Sequence, residues 1–325
     1  MLKAAIYGLG RWGTRLTESV QGSEKINIVK AVTRDPAKHQ DYSQKFGVKV
    51  LSSYGRVLKD PEIGAIVLAT PHTQHIKQIL QAVKAGKHVF VEKPITLRKK
   101  DAEKAVEATR AAGLTLGVGF NRRYAPAFVE MMNRIRAGQI GDVLHVEATH
   151  SGAAGYGLKP DQWRAMRTEA PAGGMTPRGI HTLDMMIHIA GLATSVYAFS
   201  DNRKMPEGVD LDDTTAFMLK FVGGATGYLS VLFTSAEEYR VQVFGSKGWL
   251  EMRGDTDLAF RGLQGGVEKI PLSAVDKEKS ELEAFADAIA AKQPYVLPVE
   301  EVVNAIAVLE MIEPSAKKGK PIQIK

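Results

Sequence analysis

The stretch Lys3-Ala4-Ala5-Ile6-Tyr7-Gly8-Leu9-Gly10-Arg11-Trp12-Gly13 decides how the first third of this chain is read. Residues 4–7 are an apolar run that stops at glycine, the pattern of a short buried strand. Gly8, Gly10 and Gly13 then stand in G-x-G-x-x-G spacing. The first glycine permits a tight turn, the second lets backbone approach a pyrophosphate, and the third lets the next helix pack on the strand. The start of that helix supplies free N–H groups and the positive end of a dipole. Alone the spacing is weak evidence. Placed directly after a strand and before a helix, Gly8, Leu9, Gly10, Arg11, Trp12 and Gly13 read as a dinucleotide-binding loop.

The pattern continues outward. Further strands are expected at 26–32, 49–51, 65–69, 88–91 and 114–120. Helical stripes fall between them. The clearest is 74–85, with Ile76, Ile79, Leu80 and Val83 on one face and Gly86 as the stop; 101–112 repeats the arrangement and ends at Gly113. Strand, helix, strand at this spacing implies an α/β, Rossmann-like, doubly wound parallel sheet. The end of the second strand discriminates between dinucleotides. An Asp or Glu there binds a ribose 2′-hydroxyl. This chain has Thr33-Arg34-Asp35-Pro36, a neutral hydroxyl and a cation suited to a 2′-phosphate, while Asp35 either caps the next helix or pairs with Arg34. NADP is therefore favoured over NAD.

Bulk properties bound the rest. At 325 residues the chain is long enough for two domains with separate cores. With 44% hydrophobic and 24% charged residues it is an ordinary globular mixture. The net charge of +7 is spread along the chain, with no dense basic tract interleaved with aromatics, so nucleic acid is not an expected partner. The absence of cysteine excludes disulfides, thiolate catalysis and cysteine-held metal. No apolar signal segment precedes the glycine cluster, and no run of about 18 apolar residues follows, so no membrane association and a cytoplasmic location are expected. In the second half, 143–149, 196–200, 214–221, 226–233 and 239–244 read as strands, with tight turns at Gly223-Gly224 and Gly245-Ser246-Lys247-Gly248.

Several further motifs arrive in a fixed order. Thr70-Pro71 is followed by His75, and Ala85-Gly86-Lys87-His88-Val89 leads to Glu92-Lys93-Pro94. Gly119-Phe120-Asn121-Arg122-Arg123-Tyr124 comes next, then Trp163-Arg164, Gly173-Gly174 and Gly179-Ile180-His181-Thr182-Leu183-Asp184. Glu283-Ala284-Phe285 and a closing helix over 299–312 end the series. This set resembles the glucose–fructose oxidoreductase/inositol dehydrogenase (Gfo/Idh/MocA) family over nearly the whole chain. The resemblance implies a dinucleotide-binding domain, residues 1–122, and a substrate-binding and oligomerisation α/β domain, residues 123–325, built on a large open mixed, mostly antiparallel sheet. It also implies that the last helix packs back on the first domain. A sheet with one face uncovered by helices calls for a partner, so a homodimer or homotetramer through that face is expected.

The resemblance also assigns chemistry. Lys93 is the family lysine that faces nicotinamide and substrate alcohol; an ammonium there hydrogen-bonds a carbonyl oxygen and donates a proton as hydride arrives. Its place at the C-terminal end of a parallel strand agrees, because ligands bind at that edge. His181 is the second acid–base candidate. Thr33, Arg34, Thr70, Pro71, His72, His75, Glu92, Lys93, Asn121, Trp163 and Arg164 join the glycine loop as expected cofactor contacts, with His75 also read as a hydrogen-bonded structural residue. Arg122, Tyr156, Thr176, Arg178 and His181 are expected near a small-molecule substrate. The concentration of Arg122, Arg123, Arg164, Arg167 and Arg178 suggests an acidic substrate, against the alternative of solvated loop arginines. His181, Asp184 and His188 share a helical face, but core hydrogen bonding is the better account than metal, as it is for His72 and His75. One departure stands out: where the family has Asp four residues before the histidine, this chain has Pro177. The expected activity is an NAD(P)-dependent dehydrogenation at CH–OH groups of a sugar, cyclitol, sugar acid or dihydrodiol. A dinucleotide sensor and a redox-assisted glycoside hydrolase are the alternatives.

Overall fold

The computed structural model describes residues 1–324. The chain divides into two compact units. One holds residues 1–96, 100–121 and 276–299; the other holds 97–99, 122–275 and 300 onward.

The first unit begins β1 (Leu2–Tyr7), α1 (Arg11–Ser19), β2 (Ile26–Val32), α2 (Gln40–Phe46), β3 (Lys49–Leu51), α3 (Tyr54–Leu58), β4 (Ala65–Leu68), α4 (His75–Lys84), β5 (His88–Glu92), α5 (Lys99–Ala111) and β6 (Leu116–Gly119). The strands form one sheet in the order β3-β2-β1-β4-β5-β6, every pair parallel. β4 is buried throughout and β5 nearly so. That is why both read as unbroken apolar runs rather than alternating ones: a parallel sheet has helices over both faces. The strand order reverses between β1 and β4. The glycine loop leaves β1 and the Thr70-Pro71 turn leaves β4 at that switch point, where open α/β sheets bind their ligands.

The second unit contains α6 (Pro126–Arg136), β7 (Val143–Ser151), α7 (Gly179–Ala190), β8 (Ala193–Asp201), β9 (Thr214–Phe221), β10 (Thr226–Leu232), β11 (Glu238–Gly245), β12 (Gly248–Arg253), β13 (Asp257–Gly262) and β14 (Glu268–Pro271). After α8 (Lys277–Ala291), which sits in the first unit, it resumes with α9 (Val299–Lys318) and β15 (Ile322–Gln323). Its nine strands run in the order β14-β13-β12-β11-β7-β10-β9-β8-β15, antiparallel except for the parallel pair β7–β10. Five of these strands are legible in the sequence. β12 to β15 are not, because they are short and mostly carry charged residues between the apolar ones. Helix α7 lies directly on the sheet: a Cβ at Gly179 would come within 2.5 Å of Val231, and one at Gly227 within 2.8 Å of Met186. Phe199 stands exposed on β8, and Tyr197, Met218 and Tyr228 are paired in register across β8, β9 and β10.

Helix α8 belongs to the first unit, with the dinucleotide-binding sheet, and nearly all of the closing helix α9 to the second. α9 carries the apolar residues Val302, Ile306, Leu309 and Ile312, and its Ser315 bonds to Ala198 N of β8 at 3.0 Å. α8 has its own apolar stripe, Leu282 and Phe285, and Phe285 meets Phe90 of β5 edge-on with ring centroids 5.6 Å apart.

Candidate active site

In the first unit the structure gathers the glycine loop, the Thr70 turn and the end of β5 at one edge of the sheet. Gly8 has φ +105°, and a Cβ there would lie 2.5 Å from the Ala69 carbonyl oxygen. A Cβ on Gly13 would lie 1.9 Å from Gly8 O, so only glycine lets α1 approach β1 this closely. Around Gly10 there is open space within 4 Å. Gly10 is the N-cap of α1 and makes no side-chain cap, and no acidic residue sits in the first turn. The helix end therefore keeps donors and a positive dipole for an anionic group, which fits a dinucleotide pyrophosphate.

Past β2, Thr33 N–H donates to Leu51 O at 3.0 Å, which anchors the loop to β3. Asp35 pairs with Lys38 at 3.3 Å rather than with Arg34, and Arg34 is exposed. At the other side of the switch point, Thr70 Oγ1 donates to Gln78 Oε1 at 2.6 Å. His75 is wholly buried, with Nδ1 2.9 Å from Pro94 O and Nε2 2.9 Å from Thr70 O. Both ring nitrogens thus tie the β4 turn to the segment after Lys93. His75 shapes the site by holding its walls, consistent with its structural reading. His72 lies half-buried beside it, ring centroids 5.8 Å apart.

Lys93 follows the last residue of β5 and precedes Pro94 through a cis peptide bond. Glu92 is buried beneath it. Burial pushes the Glu92 carboxyl up to about 7, opposed first by the Lys93 charge and then by the Trp12 indole. That indole N–H faces the carboxylate, yet it and Glu92 Oε1 both lack a hydrogen bond of ordinary geometry. Gly119, paired with Glu92 in register, leaves room for the carboxyl: a Cβ there would stand 2.9 Å from Glu92 Oε1. Asn121 Nδ2 donates to Glu278 Oε1 at 2.7 Å, and Arg15 donates to Glu278 Oε2 at 2.8 Å and to Asp276 at 3.0 Å. The sequence reading passed over Arg15, Glu278 and Glu281. The available signal was two carboxylates, 278 and 281, on the same stripe of α8 as Leu282 and Phe285.

In the second unit His181 lies buried in the first turn of α7, its N–H bonded to Arg178 O at 3.1 Å. Asp184 and His188 on the same helix have other partners. Arg123 clasps Asp184 through Nε and Nη2, both at 2.7 Å, and also reaches Glu301 at 2.7 Å; His188 Nδ1 lies 2.9 Å from Glu301. Among the described residues no group of three or more His, Asp or Glu side chains is set to hold a metal ion. The remaining arginines are largely engaged. Arg122 pairs with Asp255 at 2.7 Å and lies 4.4 Å over the Tyr239 ring. Arg167 meets Asp210, Asp212 and Glu313, Arg178 donates to Ser151 O at 2.9 Å, and Arg164 covers the Trp163 ring at 4.2 Å. Thr176 Oγ1 donates to Pro171 O. Tyr156 is exposed.

A parallel sheet with a glycine loop at its switch point and a lysine at the C-terminal end of β5 defines a dinucleotide-dependent oxidoreductase. Comparison with known proteins agrees. Residues 2–120 match the model "Oxidoreductase family, NAD-binding Rossmann fold", and residues 128–251 match the "GFO/IDH/MocA C-terminal domain". The chain belongs to the Gfo/Idh/MocA oxidoreductase family. It is similar to a scyllo-inositol 2-dehydrogenase (NAD(+)) of Bacillus subtilis, 27% identical over 99% of this chain and 96% of the relative. An uncharacterized oxidoreductase of the same organism, YrbE, is 30% identical over 75% of this chain and 71% of its own length. Among solved structures, a putative NADPH-dependent oxidoreductase from Desulfitobacterium hafniense superposes with a TM-score of 0.93 at 24% identity, covering 99% of this chain and 97% of that one. At that identity the likeness speaks for the fold.

Proposed function

We propose that this enzyme transfers hydride between a nicotinamide dinucleotide and a CH–OH/C=O carbon of a neutral sugar, cyclitol or dihydrodiol, with Lys93 managing the proton on the substrate oxygen. The observation that carries this is Lys93 at the C-terminal end of β5, beside the buried Glu92 and at the same sheet edge as the glycine loop. The bound nicotinamide would supply the hydride acceptor. The residues do the rest. The glycine loop and the start of α1 hold the pyrophosphate, and the His75 clamp keeps the Thr70 and Pro94 segments in place. Lys93 accepts the hydroxyl proton on oxidation and returns it on reduction. His181, buried at the start of α7, is the second acid–base group.

Two finer assignments follow. NADP is favoured over NAD, because Asp35 is paired with Lys38 and does not neutralise Arg34. A neutral substrate is favoured over a sugar acid, because Arg122, Arg123 and Arg167 already face carboxylates. Relatives named for myo-inositol, trans-1,2-dihydrobenzene-1,2-diol and 1,5-anhydro-D-fructose mark the range to screen. Pro177 in place of the family's Asp argues against adopting an inositol simply from the resemblance.

The test is Lys93→Met. We expect turnover to fall by at least about a hundredfold, the usual scale for removing a positioned general acid–base group, with cofactor affinity preserved. Undiminished kcat would remove Lys93 from the mechanism. Net accumulation of reduced cofactor separates this reading from a sensor, and from glycoside cleavage without net redox change.

A further inference from the structure

Glu281 on α8 is wholly buried, and neither of its carboxylate oxygens has a hydrogen-bond donor. Glu92 Oε1 and Asn121 Oδ1 are buried acceptors in the same condition. Helix geometry places these groups together. Phe285 packs on Phe90. Four residues back along the helix is about 6 Å, and two residues on along the strand is about 6.6 Å. Since Asn121 and Arg15, at the C-terminal sheet edge, bind Glu278 at the other end of this stripe, α8 runs antiparallel to β5 and Glu281 lies over Glu92. The groups facing Glu281 are Glu92 and Lys93 from β5 and its end, and Glu278 and Lys277 from α8. Tyr295 reaches its backbone carbonyl at 3.4 Å.

Charge balance then limits the protonation pattern. Lys93 and Arg15 offset Glu92 and Glu278, with Arg15 in direct contact with Glu278. Lys277 also faces Glu281, but neither carboxylate oxygen receives a donor from it, so an ionised Glu281 would be a buried anion with no hydrogen bond, a costly arrangement that proteins relieve by protonation.

We propose that Glu281 is a positioning residue for Lys93: held as a neutral acid, it donates a hydrogen bond to Glu92 Oε1 and so keeps a single carboxylate beside the lysine. Burial raises the Glu281 carboxyl well above its ordinary value, and the neighbouring Glu92 and Glu278 charges raise it further. The proton on Glu281 supplies a donor for Glu92 Oε1, the one oxygen of that carboxylate without a hydrogen bond of ordinary geometry. It also leaves Lys93 one counter-anion instead of two, which keeps its ammonium from being overstabilised and lets it release a proton nearer neutrality.

This inference rests on the proposed role of Lys93, and its test has one arm independent of activity. Infrared spectra of the wild-type protein and of Glu281→Gln are compared, at a mildly alkaline pH above the Glu92 value of about 7, for the carbonyl stretch of a protonated carboxylic acid. The band is expected in the wild type and reduced in the variant. Its absence from the wild type, or its full retention in Glu281→Gln, overturns the proposal, and the wild-type measurement stands even if the variant does not fold. The second arm is the pH profile of kcat for alcohol oxidation. Glutamine cannot ionise, so Lys93 in Glu281→Gln never meets the second anion that the wild type gains as pH rises, and the rise of kcat to its upper plateau should be complete at lower pH than in the wild type. KM is expected to stay within about twofold, since a residue acting through Lys93 alters the chemical step and not ground-state binding. An unchanged profile overturns the coupling to Lys93. If Lys93→Met abolishes turnover while Glu281→Gln alters neither band nor profile, the Glu281 inference fails and the Lys93 assignment survives. If Lys93→Met retains full turnover while the band behaves as expected, the assignment of Lys93 fails, and with it the role given to Glu281.

Discussion

Single residues set the two sharpest expectations. Arg34 is exposed at the end of β2 with Asp35 turned to Lys38. Arg34→Asp replaces a cation suited to a 2′-phosphate with a carboxylate suited to a 2′-hydroxyl, so the ratio of NADP to NAD affinity should fall by at least about tenfold, the worth of one lost charge-assisted contact. Titration of both cofactors against both proteins checks this, and an unchanged ratio would show that Arg34 does not reach the ribose. Glu92 gives the second. Its folded carboxyl is raised to about 7 from 4.5, chiefly by burial. Between those values the folded protein holds a proton that the unfolded chain has released. More protons bound in the native state means that stability falls as pH rises. The Glu92 contribution is therefore favourable below about 4.5 and lost as pH passes about 7. Chemical denaturation from acid to mildly alkaline pH should show this slope, and Glu92→Gln should flatten it.

At the scale of elements, the Arg123–Asp184–Glu301 cluster joins the start of the second unit to α7 and α9. Arg123 and Asp184 are 6% and 1% exposed, so removing either leaves the other charged group buried without its main partner. Arg123→Ala is expected to cost about 3–5 kcal/mol, read as a lower unfolding midpoint. A loss below about 1 kcal/mol would mean that the cluster relaxes into water. Arg123 was legible only as one cation among several near a motif. Its partner 61 residues away and a second one 178 residues away are invisible to local pattern. The same holds for His75, whose histidine at a helix start was legible, but whose two carbonyl partners depend on β4 and β5 lying side by side.

For the whole molecule, the row Tyr197–Met218–Tyr228 with exposed Phe199 makes the uncovered part of the nine-stranded sheet the surface expected to meet a second copy. Light scattering at micromolar concentration should give a dimer or tetramer, and Met218→Glu should shift it toward monomer; a monomeric wild type would end this reading. What the sequence by itself determined was everything carried by local chemistry. The glycine spacing, the unbroken apolar strands and the E-K-P segment sufficed for the parallel sheet, its switch point and Lys93. Only the tertiary structure decided that α8 packs on that sheet, that three of the arginines are already satisfied by carboxylates, and that Glu281 is wholly buried. Those depend on which buried faces meet, and an apolar stripe encodes that it will be covered, not by what.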